Sequence, residues 1–358
     1  MCGIAGIMVL NNVEKTILQR IEDCARAIAH RGPDNLSTTQ FADIALSHSR
    51  LSIIDTSAAA NQPLHDTAKE YTIVFNGEIF NYAEIRNELT HKGVNFQTQG
   101  DTEVFLELFK KEGLKALERI SGFFAAAIYH HSTQKLYLFR DRYGVKPLYY
   151  YYNNHTFIFS SEVRGIRASG VSLTLCKEAL HFYLQLNYIP GELSIYEEIK
   201  KIPAGHYAII CNDGIKCEPY YSLLSKLHSI HADENSIAQV LKNLLEKSVK
   251  DRLVADLPVG CFLSGGIDST IVAGIAAREI PQLPTFSLGF KENSWFDESK
   301  YAELAARHFK TEHHTFSLTN HDLLEHFDDF LLAQDEPFAD SSALNVRSEE
   351  HTSELQSH

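Results

Sequence analysis

No apolar run in this chain approaches the roughly 20 residues needed to span a bilayer. The opening stretch, MCGIAGIMVLNN, lacks a basic head and its apolar part ends quickly, so it is not read as a signal peptide. Positive charge is scarce: 33 Lys and Arg stand against 46 Asp and Glu, a formal net charge of -13. Such a surface repels phosphate backbones, which argues against nucleic acid as a general partner but not against a local nucleotide site. None of the six cysteines (Cys2, Cys24, Cys176, Cys211, Cys217 and Cys261) forms a CxxC pair. The spacing is neither a zinc pattern nor a disulfide framework; it fits a reduced cytoplasmic protein whose later five cysteines are ordinary small apolar residues. The 18 histidines have no supporting Cys or carboxylate clusters, so chelation by histidine is not expected.

What is present suits two domains. The 358 residues, 44% of them hydrophobic, can bury a substantial core. The first part reads as short strands (3–10, 71–75, 123–129, 135–139, 148–152 and 156–159) with a few amphipathic helices. In that reading the strand at 71–75 ends at Asn76 and Gly77, a turn signal. Residues 187–220 collect Pro190, Gly191, Pro203, Gly205, Gly214 and Pro219, and 191–230 is expected to be a connecting region. Then the pattern changes. Ile237, Val240, Leu241, Leu244, Leu245 and Val249 recur at helical spacing, and strands near 259–263, 285–288 and 313–316 alternate with helices. That alternation implies a parallel α/β sheet. The last twelve residues, RSEEHTSELQSH, are polar and unpatterned; they are expected to be a non-native, adapter-derived tail at 347–358, with native sequence ending near Val346.

Cys2 directly follows Met1, and trimming of Met1 would leave it with a free α-amine. That amine, with a pKa of about 7.7–8.0, can serve as base for a thiol of about 8.5, so one residue supplies nucleophile and base. A cysteine at position 2 is weak evidence alone. Around it, however, stand MCGIAG, HRGPD (30–34), RLSIID (50–55), FNGEIFNY (75–82), GDTE (100–103) and RDRYGVKPLYY (140–150). Together and in this order they closely resemble the class II glutamine amidotransferases, N-terminal-nucleophile hydrolases with an αββα fold. The resemblance places a glutaminase domain at 2–190. It implies that Cys2 attacks the side-chain amide of glutamine, releasing glutamate and ammonia through a thioester. Asn76, by its side chain, and Gly77, by its N–H, would hold the oxyanion, with the bare Gly77 letting the backbone approach closely. Arg50 would take the substrate α-carboxylate, and Asp101 with Glu78 the α-ammonium. Ile53 and Ile54 would complete the glutamine pocket. Each residue has a plainer reading: a hairpin turn at Asn76, a surface ion pair for Arg50, a helix cap for Asp101. The segments 30–34 and 140–148 are read as scaffold or interdomain elements, with no catalytic role.

LSGGIDS (263–269) follows an apolar strand and opens a helix. Main-chain N–H groups at a helix N-terminus bind anions, and glycines let them reach a phosphate. It is not a Walker A loop, since no GK[ST] follows. It resembles the pyrophosphate loop of the ATP-pyrophosphatases. That resemblance implies an ATP site of Leu263, Ser264, Gly265, Gly266, Asp268, Ser269, Leu288 and Gly289, with Asp268 meeting Mg²⁺ on the phosphates. DEPFADSSA (335–343) resembles the synthetase half of asparagine synthetases.

An N-terminal-Cys glutaminase followed by SGGIDS resembles the glutamine-hydrolysing asparagine synthetase family, with a partial ATP-pyrophosphatase domain at 231–346. In that family ATP activates the aspartate carboxylate as an acyl-adenylate, and channelled ammonia displaces AMP. Family members carry a further SGDGGDE-like motif that nothing here matches. The synthetase domain is therefore expected to be cut short, and the chain to hydrolyse glutamine without making asparagine. The alternatives are an ATP-dependent amidotransferase for another carboxylate, as in surface polysaccharide pathways, and a non-catalytic fragment. SGGIDS argues against the glucosamine-phosphate and phosphoribosyl-pyrophosphate enzymes, and Cys2 against β-lactam synthetase. Oligomeric state is not readable; a homodimer is one option.

Overall fold

The computed structural model describes residues 1–11, 15–227, 233–290, 297–325 and 327–340. The tail expected at 347–358 lies outside the described residues. By its contacts the chain divides into one unit of Met1–His228 with Asp335–Phe338, and a second made by the remainder.

Twelve strands of the first unit form two six-stranded sheets. The first holds β1 (Gly3–Val9), β2 (Asn35–Gln40), β3 (Ile44–Arg50), β8 (Tyr149–Tyr152), β9 (Thr156–Ser160) and β10 (Ile199–Lys201), in the order β10-β8-β9-β1-β3-β2. The second holds β4 (Leu64–His65), β5 (Tyr71–Ile79), β6 (Gly122–His130), β7 (Lys135–Arg140), β11 (His206–Cys211) and β12 (Gly214–Pro219), in the order β12-β11-β7-β6-β5-β4. All the pairings are antiparallel.

Two-residue alternation builds the layers. In β1, Ile4 and Met8 point into the core between the sheets, with Leu46, Val74, Ala125, Leu138 and Phe159. Ala5, Ile7 and Val9 point the other way, onto α1 (Ile21–Ala27) and α5 (Val163–Ala168). On the far side Phe75 and Ile79 of β5 pack against α2 (Tyr82–His91), α3 (Asp101–Glu112) and α4 (Ala116–Arg119). The result is the αββα sandwich. One further helix, α6 (Lys177–Leu186), packs at its start with Ile189 and Ile195.

Two local expectations are corrected. Asn76 and Gly77 do not turn the chain; β5 runs through them to Ile79, because nine consecutive residues pair with β6. Local turn preference loses to a full ladder. Residues 187–220 do not simply connect: β10 extends the first sheet, and β11 and β12 extend the second. Their glycines and prolines punctuate strands, as where Gly205 at φ +68° precedes β11 and Gly214 at φ +112° opens β12.

The second unit carries α7 (Glu234–Asp251), then β13 (Cys261–Phe262), α8 (Ile267–Glu279), β14 (Pro284–Phe290), α9 (Ser299–Phe309) and β15 (Glu312–Leu318). The three strands lie in the order β13-β14-β15 and pair in parallel. Two short helices follow, α10 (Asn320–Glu325) and α11 (Phe327–Ala333). Among the described residues no helix is long and apolar enough to cross a membrane.

Candidate active site

The edge of β5 makes the site. β4 is only two residues long and pairs with Thr72 and Ile73, so the rest of that edge has no partner strand. On the opposite edge Phe124 of β6, which faces Gly77, turns both its main-chain groups toward Asp141: its N–H goes to Asp141 Oδ2 at 3.2 Å and its carbonyl accepts from Asp141 N–H at 2.8 Å. Phe75, Gly77 and Ile79 therefore direct their N–H groups to the open edge, by the alternation of an antiparallel ladder. Gln62 Oε1 takes the Phe75 N–H at 2.6 Å, and Asp101 Oδ2 takes that of Ile79 at 2.9 Å. The Gly77 N–H between them opens into a pocket.

That pocket is lined by Cys2, Arg50, Ile53, Ile54, Asn76, Gly77 and Asp101, with Met1, Gln62, Thr98 and Lys146 among its other walls. Seven residues singled out by sequence thus converge from the residue just before β1, from β3, β5 and α3, and from the loop after β3. Glu78 is the exception. It lies one pleat repeat beyond Asn76 and is not among the lining residues; its charge acts on the site from outside, opposing ionisation of Asp101.

Cys2 Sγ lies beside Leu51, 3.4 Å from its N–H and 3.5 Å from its carbonyl oxygen. Burial pushes the thiol up from its ordinary pKa, while the Leu51 N–H pulls it back. A thiol in this setting needs a base at hand.

Asn76 is 1% exposed, yet among the described residues neither its Nδ2 nor its Oδ1 has a hydrogen-bond partner. Leaving a buried polar group unpaired costs about 1–3 kcal/mol, so this amide contributes no hydrogen bond to the fold. Gly77 is required for a reason other than approach to substrate: a Cβ there would sit 2.2 Å from the Phe123 carbonyl oxygen on β6.

Arg50 is 5% exposed and holds the wall of the pocket. Its Nη1 donates to Ser57 O at 2.7 Å and Asn61 Oδ1 at 2.6 Å, and its Nη2 to the Asp55 carbonyl. Of five N–H donors, two remain for a ligand. Asp101 is the first residue of α3, after the N-cap Gly100, and reaches across to β5. Burial pushes its carboxyl up to about 7, with Glu78 adding to the shift, and among the described residues no cation pairs with it.

Sequence reading missed several participants. Lys146 lines the pocket from within 140–148, a segment to which sequence reading assigns no catalytic role; burial pushes its ammonium down, and among the described residues it has no ion pair. His48 is fully buried and its Nε2 lies 3.1 Å from the Phe75 carbonyl oxygen, so Gln62 and His48 between them hold both main-chain groups of Phe75, next to Asn76. Arg31, from HRGPD, donates from Nε to the Cys2 carbonyl at 2.9 Å. The signal for Lys146 and Arg31 was present in the motifs; nothing local marked His48 or Gln62.

The second sequence-predicted site lies in the other unit. Leu263 is buried, and the loop after it is held by its own hydroxyls: Ser264 Oγ and Ser269 Oγ are 2.9 Å apart, and Gly266 N–H donates to Ser264 Oγ at 3.3 Å. Gly265 adopts φ +79°, and a Cβ there would meet the Ala302 nitrogen at 2.6 Å. Gly266 is the N-cap of α8 and offers no side chain to its first N–H groups. Asp268 is exposed in the first turn. Leu288 and Gly289 lie on β14, and Leu263 N–H bonds to Phe286 O of that strand at 2.8 Å. Among the described residues no group of three or more His, Cys, Asp or Glu could hold a metal, so Asp268 stands as a single carboxylate.

Known proteins place the two halves of the chain in a family. Residues 1–221 match the glutamine amidotransferase domain, and residues 240–347 match asparagine synthase. A putative glutamine-hydrolysing asparagine synthetase of Methanocaldococcus jannaschii is 34% identical over 96% of this chain and 70% of its own length. A glutamine-hydrolysing asparagine synthetase of Bacillus subtilis is 32% identical over 96% of this chain, and an amidase of Gibberella zeae 30% identical over 96%. The chain spans 54% and 55% of those two relatives. With its glutamine amidotransferase and asparagine synthase halves in this order, the chain belongs to the glutamine-hydrolysing asparagine synthetase family.

Proposed function

We propose that the first unit hydrolyses glutamine, with Cys2 as nucleophile once Met1 is removed. The observation that carries this reading is the pocket itself: a half-buried thiol at Cys2, an open N–H at Gly77 and, without partners among the described residues, a buried amide at Asn76 and a carboxylate lacking a cation at Asp101 share one wall set. Asp101 takes the α-ammonium of glutamine, which supplies the cation that its burial lacks. The two remaining Arg50 donors take the α-carboxylate, and Ile53 and Ile54 flank the chain. The free α-amine of Cys2 accepts the thiol proton, and Sγ attacks the carboxamide carbon. The oxyanion meets Asn76 Nδ2 and Gly77 N–H. The same α-amine returns the proton to the departing ammonia, and water then cleaves the thioester to glutamate.

The second unit is read as the ATP-dependent half. The Ser264–Gly266 turn and the uncapped start of α8 fit a pyrophosphate group, because bare N–H donors meet an anion there. Leu263, Leu288 and Gly289 would flank the adenine, and Asp268 would approach Mg²⁺ carried on the phosphates, which usually needs only one or two protein carboxylates. ATP, when bound, supplies the leaving group that makes a carboxylate electrophilic toward ammonia. Aspartate is the acceptor supported by the named relatives; the amidase among them supports a second reading with another carboxylate. A cytoplasmic location belongs to this proposal.

The test is ammonia release from glutamine by the wild-type chain and Cys2→Ala, with and without ATP, aspartate and Mg²⁺, after intact-mass confirmation that Met1 is gone. Ammonia release that survives Cys2→Ala sinks the glutaminase reading.

A further inference from the structure

Two charged side chains shape the loop after β7, and neither is among the residues that line the pocket. Asp141 is fully buried. Its Oδ1 accepts from Tyr143 N–H and Val145 N–H, and its Oδ2 from Lys146 N–H, each at 3.0 Å. The same Oδ2 accepts from the N–H of Phe124, the β6 residue that pairs with Gly77, at 3.2 Å. Arg140 donates from Nε to the Lys146 carbonyl at 3.0 Å, from Nη2 to Gly144 O at 2.9 Å and from Nη1 to Ile202 O at 2.6 Å. Both main-chain groups of Lys146 are thus held by charged partners. One carboxylate also ties its position to the strand that backs Gly77.

Lys146 is what this loop presents. It is half-buried and lines the pocket with Cys2, Asn76 and Gly77. Among the described residues it has no ion pair, a costly state for an ammonium withdrawn from water. Burial pushes it down; Glu78, Cys2 and Asp141 act to keep it protonated, and Arg31 acts against them. The other titratable groups around Cys2 are engaged elsewhere. Arg31 donates to Glu162 Oε1 at 2.8 Å, an oxygen that His30 Nε2 also approaches at 3.1 Å. His48 is buried and its imidazole is pushed down to about 3, so it is neutral. Arg50 and Asp101 face the two charged ends of glutamine in the proposed pose. Once glutamine is bound, its carboxylate answers Arg50, its ammonium answers Asp101, and the carboxamide brings no charge. The Lys146 ammonium remains for the end of the pocket where negative charge forms.

We propose that Lys146 is a catalytic residue of glutamine hydrolysis: its ammonium stabilises the Cys2 thiolate and the negative charge that passes from it to the carboxamide oxygen. The inference rests on the glutaminase reading and adds a residue which that reading does not use. The Sγ proton goes to the α-amine, the S–C bond forms as the carbonyl π pair moves onto oxygen, and Lys146 keeps its own protons throughout. The need for a cation is physical. Burial raises the proton affinity of the thiol and Asp101 raises it further, against the Leu51 N–H, the amino terminus and Arg50. A cation close by favours proton loss from the thiol and the α-amine alike. It therefore moves the titration of the pair to lower pH, whichever of the two loses its proton first. Held on a fixed loop, it also costs no reorganisation when the charge appears.

The experiment uses the full chain with Met1 removed and compares wild type, Lys146→Met and Lys146→Arg. The first readout is the pH dependence of Cys2 alkylation by iodoacetamide without glutamine, followed by intact mass. Lys146→Met is expected to raise the midpoint by about one pH unit, and Lys146→Arg to keep it within about 0.3 unit. The second is the rate ratio of anionic iodoacetate to neutral iodoacetamide above both midpoints, which reads the charge of the pocket apart from thiol ionisation. It is expected to fall at least about threefold in Lys146→Met and to hold in Lys146→Arg. The third is kcat/KM for glutamine at pH 7, expected to fall on the order of 10-fold in Lys146→Met, the same one-unit displacement. The melting temperature of Lys146→Met is expected to hold or rise, since an ammonium is no longer withdrawn from water. A wild-type midpoint and reagent ratio in folded Lys146→Met overturn the proposal, and so does a Lys146→Arg chain that titrates like Lys146→Met. Ammonia release that depends on Cys2 leaves the glutaminase reading standing in either case. Ammonia release that survives Cys2→Ala fails that reading and this proposal with it.

Discussion

Asp101 Oδ2 accepts the main-chain N–H of Ile79 at 2.9 Å, which sets the carboxylate two residues beyond the open N–H of Gly77 on the same edge of β5. One strand edge thereby offers a hydrogen-bond donor for a developing oxyanion and an acceptor for a cation, separated by one pleat repeat. The spacing suits a ligand with a carboxamide at one end and an ammonium at the other.

The raised carboxyl of Asp101, at about 7, gives the binding step a pH dependence. Only the ionised form attracts an ammonium, and kcat/KM reports the free enzyme. Below pH 7 the loss of Asp101 charge adds to protonation of the α-amine base, whose pKa is about 7.7–8.0. Log kcat/KM is expected to fall with a slope approaching two in the wild type and one in Asp101→Asn. The variant also loses roughly 100-fold in kcat/KM at pH 8, the scale of an unpaired buried charge at an interface. Steady-state glutaminase kinetics from pH 5.5 to 9 check both points.

The same shift has a stability consequence with a definite sign. The folded-state pKa of Asp101 lies above its unfolded value, so its protonated form favours folding at acid pH and that contribution is lost as pH rises through about 7. Asp101→Asn carries no such charge. It is expected to melt higher than the wild type at pH 8 and at the same temperature at pH 4, as calorimetry would show. A variant less stable than wild type at pH 8 contradicts the unpaired state of this carboxylate.

Asn76→Ala is expected to separate activity from stability. Removing one oxyanion donor costs about 100- to 1,000-fold in kcat. Because the Asn76 amide has no hydrogen-bond partner among the described residues, its removal breaks no bond in the fold. The melting temperature is therefore expected to hold or rise, by thermal melts alongside ammonia release.

Gly77→Ala should fail differently. The added methyl would lie 2.2 Å from the Phe123 carbonyl and 2.6 Å from Phe124 Cα, both main chain and both fixed in the β5–β6 ladder. Overpacking of this kind costs at least 1–3 kcal/mol. A lowered melting temperature is expected, not merely a lower rate.

Gly265→Ala tests the second unit. It combines φ +79° with a Cβ 2.6 Å from the Ala302 nitrogen, so the Ser264–Gly266 turn must reshape. Loss of ATP binding with glutaminase activity intact is expected, by calorimetric titration of ATP and ammonia release. Unchanged ATP affinity would remove the loop from the proposed site.

Much of the site was legible only because several motifs stand together in order. Taken singly, Cys2, Arg50, Asn76 and Asp101 each have a plainer reading; the resemblance of the set to one family marks them out, and Cys2, Arg50, Asn76, Gly77 and Asp101 line one pocket. What was misread failed for identifiable reasons. Asn76 and Gly77 look like a turn in isolation, and only pairing with β6 keeps them extended. The glycines and prolines of 187–220 look like a linker, and only the ladders of β10, β11 and β12 show that they separate strands. The reason for Gly77 lies on a neighbouring strand.

The amino-acid sequence by itself determined which groups could react: a thiol next to a removable methionine, alternating apolar residues that must form sandwiched sheets, and a glycine turn leading into a helix. Tertiary structure alone decided which of those groups meet. Whether Asn76 is left unpaired, whether Asp101 is stripped of counter-charge, and whether Lys146 is brought to the pocket of Cys2 depend on burial and on contacts between distant segments. Local propensity carries no record of either, since desolvation and pairing arise only when the chain closes on itself.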